Sequence, residues 1–152
     1  MRKIYSMLVI GLLVIGATSC KKDKSEKSKE KIEGKWFVTK TSLILYKNDK
    51  QATQSEDTDF GDKTAFIQFN SNATGRIEDT GHGYNFNYNV NGSDIQLTNQ
   101  KFDDNANTGS DQIPSSFTIT RVTSTELVLH SEISYKILND NYRSVQDIYL
   151  NK

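Results

Sequence analysis

Few side chains in this 152-residue chain stand where they could do covalent or metal chemistry. The single cysteine, Cys20, could be a nucleophile, a metal ligand or an attachment point, but with no second cysteine it closes no internal disulfide. The two histidines are His82, within Gly81-His82-Gly83, and His130, on the polar side of an expected strand. Neither has a partner at metal-ligand spacing, whereas zinc draws three or four convergent ligands, so both read as surface or loop histidines. Asp103-x-Asn105-x-Asn107 has the alternating oxygen donors that open a calcium loop. Its sixth position is Thr108 instead of glycine and its twelfth is Pro114 instead of glutamate, so residues 101 to 113 read as a polar connection. Asp57, Asp59 and Asp62 fall in what reads as a long loop after the first strand and are expected to be solvated acids. There is no G-x-S-x-G, no phosphate loop and no Cys-His pair. The expectation is a protein that is not an enzyme and uses no metal and no cofactor. A catalytic triad or carboxylate pair assembled by the fold from distant residues leaves no such trace in a sequence.

The surroundings of Cys20 choose among its chemistries. A basic start (Arg2, Lys3) precedes an apolar run from Met7 to Ile15, too short for a stable membrane-crossing helix, which needs about 20 apolar residues. Small residues, Ala17-Thr18-Ser19, then lead into Cys20. This arrangement resembles the lipobox of bacterial lipoproteins. The resemblance implies removal of residues 1 to 19, a thioether-linked diacylglycerol on Cys20 and an acylated mature N-terminus. Two or more acyl chains, at about 0.8 kcal/mol per buried CH₂, hold a protein stably on a membrane. The alternative is a plain secreted protein with a leftover thiol.

Residues 20 to 31 form a charged tether: six lysines against Asp23, Glu26 and Glu30, with no apolar side chain from Lys21 to Lys31. Such a segment can bury nothing and is expected to be disordered, holding the rest of the chain roughly 20 Å from the membrane. By analogy with lipoprotein sorting rules, Lys21 gives no inner-membrane retention signal of the aspartate type. The expected address is therefore the cell outer membrane, lipid-anchored and facing the periplasm, with the cell surface as the other face. The remaining residues, 32 to 152, are mildly acidic, which gives nucleic-acid binding no electrostatic support.

Those residues make one domain, and their patterning is that of strands. Tyr84, Phe86, Tyr88 and Val90 alternate with Asn85, Asn87, Asn89 and Asn91, the period-two signature of an antiparallel strand with one buried face. The turn Asn91-Gly92-Ser93 returns the chain into residues 94 to 99, where Ile95 and Leu97 continue the apolar face. A long strand over residues 35 to 46 puts Phe37, Leu43 and Leu45 on one side and Trp36, Val38, Ile44 and Tyr46 on the other. Residues 64 to 70 and 75 to 80 flank a turn at 71 to 74. Residues 116 to 122 and 126 to 138 flank another at 123 to 125, and residues 144 to 150 close the chain. About eight strands joined by short hairpins predict an all-β fold, an antiparallel up-and-down barrel, with a two-sheet sandwich as the alternative.

Gly34-Lys35-Trp36 at the start of the first strand is similar to the G-x-W of the lipocalins. The stretch from Phe117 to Leu129 resembles the I-x-x-L-T-x-x-x-L-V-L signature of small bacterial lipocalin-like lipoproteins, and Ala65 to Gly75 resembles that family's strand, turn and glycine segment. The chain is shorter than a typical lipocalin and lacks clear second and third lipocalin motifs. The resemblance implies a lipocalin-like barrel over residues 32 to 152. It also implies an arginine stacked on the tryptophan at the closed end, with Arg121 and Arg143 both candidates.

Two functions fit this reading. In the first, the barrel binds a small hydrophobic or amphipathic ligand, with Trp36, Phe69, Tyr84, Phe86, Tyr88 and Phe117 as candidate lining. In the second, the same aromatics fill the barrel and make it an envelope scaffold, whose loops at 48 to 63 or 101 to 114 meet a protein or a glycan. Partners are then the membrane, through Cys20, and either an apolar ligand or an unidentified protein, without nucleic acid.

Overall fold

The computed structural model describes residues 29, 31 to 58, 60, 64 to 79, 82 to 103 and 114 to 152. Its nine strands are, in chain order, β1 (Gly34–Lys47), β2 (Lys50–Asp57), β3 (Phe66–Phe69), β4 (Thr74–Asp79), β5 (His82–Asn91), β6 (Asp94–Phe102), β7 (Ser116–Val122), β8 (Glu126–Ile137) and β9 (Asp140–Asn151). From β3 to β9 each strand pairs antiparallel with the next, and β1 pairs with both ends of the series. It meets β3 through Gly34–Phe37 and β9 through Phe37–Lys47, so eight strands close into an up-and-down barrel. Closure removes the sandwich alternative.

The ninth strand is a correction. Residues 50 to 57, expected as loop, pair with the second half of β1 as β2, outside the closed barrel. Every side chain of β2 is exposed, so no apolar alternation marks it. It is held by backbone pairing and by a two-residue turn, Asn48-Asp49, whose φ values of 49° and 62° are those a hairpin with the right strand twist requires.

The long first strand is present, but its faces exchange midway. Val38 pairs with Leu150 and Lys40 with Tyr149, leaving Thr39 as an extra residue. Such a bulge shifts the alternation by one. Before it, Trp36 and Val38 face the interior. After it, the pairing of Thr41 with the core residue Ile148 puts Thr41, Leu43 and Leu45 inward, and Ile44 and Tyr46 outward.

The core runs through the barrel axis. Trp36, Phe69, Phe86, Tyr88, Ile95, Leu127, Leu129 and Leu150 are all buried. Phe69 meets Phe86 and Tyr88 edge-on at 5.9 and 5.1 Å between centroids, the arrangement aromatic quadrupoles favour. Gly75 exists for this packing: a Cβ there would stand 2.3 Å from the Phe86 ring. Ile32 plugs the Trp36 end, its carbonyl accepting the indole N–H at 2.6 Å. Lys29 donates to the Ser71 carbonyl of the β3–β4 turn at 3.2 Å, which fixes the short segment before β1 over that end.

Candidate functional site

Beyond this plug the interior is not filled throughout. A cavity of about 230 Å³ lies further along the axis, past Val38 on β1. Its apolar lining is Val38, Phe60, Ala65, Phe66, Ile67, Ile77, Pro114, Phe117 and Ile148, and Thr41, Tyr84, Gln146 and the acidic residues Glu78 and Asp79 also border it. The reason for the space is local. On β1 and on the neighbouring segment that leads into β3, the inward positions at this level carry Thr41 and Ala65, both short, where the lower barrel carries Trp36 and Phe69. The β1 bulge brings Thr41 inward at this level.

The six aromatics expected as lining divide between the two levels. Tyr84 and Phe117 line the cavity. Trp36, Phe69, Phe86 and Tyr88 pack in the core below it, and the Tyr88 hydroxyl donates to the Asn70 carbonyl at 2.7 Å. Tyr84 lies against Phe102 with 4.9 Å between centroids. Among the described residues no hydrogen-bond partner engages its hydroxyl, and burial pushes that phenol well above its ordinary range. At neutral pH it is a protonated donor in an apolar wall, together with the Gln146 amide and the Thr41 hydroxyl. This is the composition of a small-molecule site: mostly hydrocarbon, with a few polar groups to fix orientation. The residues that sequence reasoning missed, Thr41, Ala65, Ile77, Gln146 and Ile148, are short, polar or aliphatic. The visible signal was Gln146, a polar residue at an inward position of a strand.

The cavity leads onto an apolar strip. Leu43, Leu45, Ile133 and the stacked pair Tyr135–Tyr142 (5.5 Å, 8°) continue the inward faces of β1, β8 and β9 toward their far ends. Leu43 is 37% exposed.

Outside the barrel, one charged cluster spans three residues. Arg76 bridges Glu78 and Asp103, with Nη1 donating to Asp103 at 3.0 Å and Nε to Glu78 at 3.0 Å. The guanidinium lowers the Asp103 carboxyl below the usual carboxylate range. Gly83 makes room for the bridge, since a Cβ there would meet Arg76 and Glu78 within 2.5 Å. Beside it lies a hollow of about 630 Å³ lined by the amides of Gln68, Asn70, Asn85, Asn87 and Asn99, with Lys101 at one side.

The remaining sequence candidates do not converge. His130 pairs through Nδ1 with Asp147 at 2.8 Å on the barrel exterior, and the His82 side chain lies outside the described residues, as do Cys20, Asp59, Asp62, Asn105 and Asn107. Asp57 ends β2. Among the described residues, no three His, Cys, Asp or Glu side chains group to hold a metal ion. The cation over Trp36 is Lys152, with Nζ 4.4 Å from the ring centroid, and neither candidate arginine occupies that place. Arg143 instead lies over Tyr46 and bridges Glu132 at 3.2 Å, while Arg121 reaches Glu126 at 3.5 Å. Lys152 can reach the indole because Asn151, the residue before it, pairs with Phe37. In comparisons with known proteins, no family model matches the chain, and neither a curated protein nor a solved structure does.

Proposed function

We propose that the chain is a lipid-anchored protein of the bacterial outer membrane, attached through Cys20 and facing the periplasm, whose barrel holds a small hydrophobic or amphipathic molecule. The observation that carries the reading is the 230 Å³ cavity with Tyr84 and Phe117 in its wall. An apolar cavity of about 150 Å³ takes up benzene, so this one suits a ring or chain segment of roughly ten non-hydrogen atoms. The apolar strip beyond it gives a longer molecule somewhere to lie, with the Tyr84 hydroxyl, the Gln146 amide and the Thr41 hydroxyl to receive a polar group. Because Lys29 and Ile32 sit at the plugged end, a tether leading from Cys20 meets the barrel there and leaves the cavity facing away from the anchor.

The test is native mass spectrometry and solvent extraction of the protein isolated from its own envelope. A stoichiometric apolar or amphipathic molecule is the expected result, and an apo mass that takes up no apolar probe would sink the proposal. The amide-lined hollow on β3 to β6 favours a second reading, an envelope interaction protein that contacts a glycan or a protein. Neutral amides both donate and accept, as sugar hydroxyls do. On that reading the mass is apo and the partner is retained on immobilised envelope polysaccharide or in a cross-linked complex.

A further inference from the structure

Among the strand edges that lack a partner strand in the described residues, the outer edge of β2 and one other differ in kind. The outer edge of β2 carries only exposed side chains, all of them polar apart from Ala52, and begins with Lys50. This is how exposed edges are kept from pairing. The second half of β8 is the other. β7 pairs with β8 only from Val122 opposite Leu127 to Thr118 opposite His130, and its start, Ser116, pairs with Gln96 on β6. Just upstream stands Pro114, the only proline of the chain, which has no N–H to continue a ladder. Residues Ser131 to Ile137 are therefore bonded to β9 on one side and to no described strand on the other.

The direction of the free backbone groups is set by the paired half. The carbonyls of Glu126 and Val128 point to the β7 side, accepting the Thr123 N–H at 2.8 Å and the Thr120 hydroxyl at 3.2 Å. The Thr125 carbonyl points the other way, toward Lys152. β8 runs against β9 without a bulge, so the alternation persists, and Glu132, Ser134 and Lys136 turn their N–H and C=O groups to the open edge.

We propose that this edge binds a second copy of the chain, β8 against β8, antiparallel about a two-fold axis at Ser134. The sequence Ser131-Glu-Ile-Ser-Tyr-Lys-Ile137 is complementary to itself in that register. Glu132 of each copy stands opposite Lys136 of the other, in positions that exchange both backbone hydrogen bonds, and Ser134 meets its own equivalent. Ile133 stands opposite Tyr135 at the non-hydrogen-bonded positions, where side chains approach most closely and where an aromatic beside a β-branched residue is a favourable pair. Ile137, 49% exposed in the single chain, comes to lie opposite Ser131. Lys136 has no ion-pair partner among the described residues, and Glu132 keeps its bridge to Arg143 on β9. Charge also pins the register. A slip of two residues leaves Glu132 or Lys136 facing a serine, and a slip of four sets two glutamates or two lysines against each other. The contact is isologous, so it closes at two copies.

The experiment counts copies of the full chain by native mass spectrometry from mild detergent, for the wild type, for Glu132→Lys, for Lys136→Glu and for a mixture of the two variants. Each single reversal sets like charges opposite one another twice, whereas the mixed pair restores both attractions. The expected result is a dimer for the wild type, monomers for each variant alone and a dimer for the mixture, which also shows that both variants fold. A monomeric wild type, variants that dimerise like the wild type, or a mixture that stays monomeric would each overturn the proposal. An edge covered by the chain's own residues 104 to 113 would give the first of these. The readout does not depend on whether the cavity holds a ligand.

Discussion

Replacing Gly75 by alanine tests the packing of the lower barrel at one methyl group. In a strand that merely tolerates glycine, alanine stabilises by about 0.5–1 kcal/mol through chain entropy. Here the added Cβ would stand 2.3 and 2.4 Å from Cζ and Cε2 of Phe86 and 2.6 Å from the Gln68 carbonyl oxygen. The ring has little room to retreat, because Phe69, Tyr84 and Tyr88 surround it with centroids 5.9, 6.2 and 6.3 Å away. The carbonyl belongs to the β3–β4 ladder. Overpacking of this kind costs about 1–3 kcal/mol, and three contacts with two unyielding neighbours put Gly75→Ala near 3 kcal/mol. For a domain of this size that lowers Tm by about 10 °C. Leucine lacks both offending ring atoms, so in a Phe86→Leu background the same substitution should cost at least about 1 kcal/mol less, read as a coupling energy in a double-mutant cycle by denaturant unfolding. A neutral or stabilising Gly75→Ala, or an equal cost in both backgrounds, would refute the packing of Phe86 over Gly75.

Three further outcomes are expected in other parts of the barrel. Leu138 is 91% exposed at the β8–β9 turn with φ of 56°, a region that costs a non-glycine residue about 1–2 kcal/mol. Leu138→Gly should therefore raise the stability read from the denaturant midpoint by about 0.5–1 kcal/mol after the entropic penalty of glycine. Trp36→Phe leaves the buried Ile32 carbonyl without its donor and should cost about 2–3 kcal/mol by circular dichroism, with loss of hydrogen-exchange protection at Glu33, whose N–H donates to Lys29. Burial, aided by the charge of Glu33, pushes the Tyr88 phenol up to about 12, and burial alone pushes Tyr84 higher still. In the unfolded chain both ionise near pH ~10 and shed protons the folded state retains, so stability is full below that pH and falls as pH rises toward 12. Phenolate absorbance should show these two tyrosines titrating last, and Tyr84→Phe should flatten the decline in stability.

The parts of the fold written as alternation were legible. Tyr84, Phe86, Tyr88 and Val90 do face the core of β5, and the bounds of β7 and the start of β8 stand where the turn residues put them. What was not legible depends on partners instead of pattern. Lys-Gln-Ala-Thr-Gln-Ser-Glu-Asp of β2 has no buried face, so nothing in its side chains distinguishes it from a loop; its hydrogen bonds to β1 do. The bulge at Thr39 leaves no mark in composition, yet it decides whether Thr41 or Ile44 faces inward. For the site, alternation told which side chains point in, and not at what depth. Tyr84 and Phe86 are neighbours on one face, but Phe86 lies over Gly75 in the packed core while Tyr84 borders the cavity. The cavity arises where short residues of two paired segments far apart in sequence, Thr41 and Ala65, come to one level, and that coincidence is set by register.

If the space bounded by Tyr84 and Phe117 is a binding site, Thr41→Trp should close it. Thr41 is half-buried at the cavity wall, so an indole there fills much of the 230 Å³ without disturbing the Trp36 plug. Titration of a fluorescent fatty-acid probe into the wild type and the variant, matched for folding by circular dichroism, gives the answer. The expected result is saturable one-to-one uptake by the wild type and at least a tenfold loss of affinity, about 1.4 kcal/mol, in Thr41→Trp. Equal binding by both, or no saturable binding by the wild type, would contradict it.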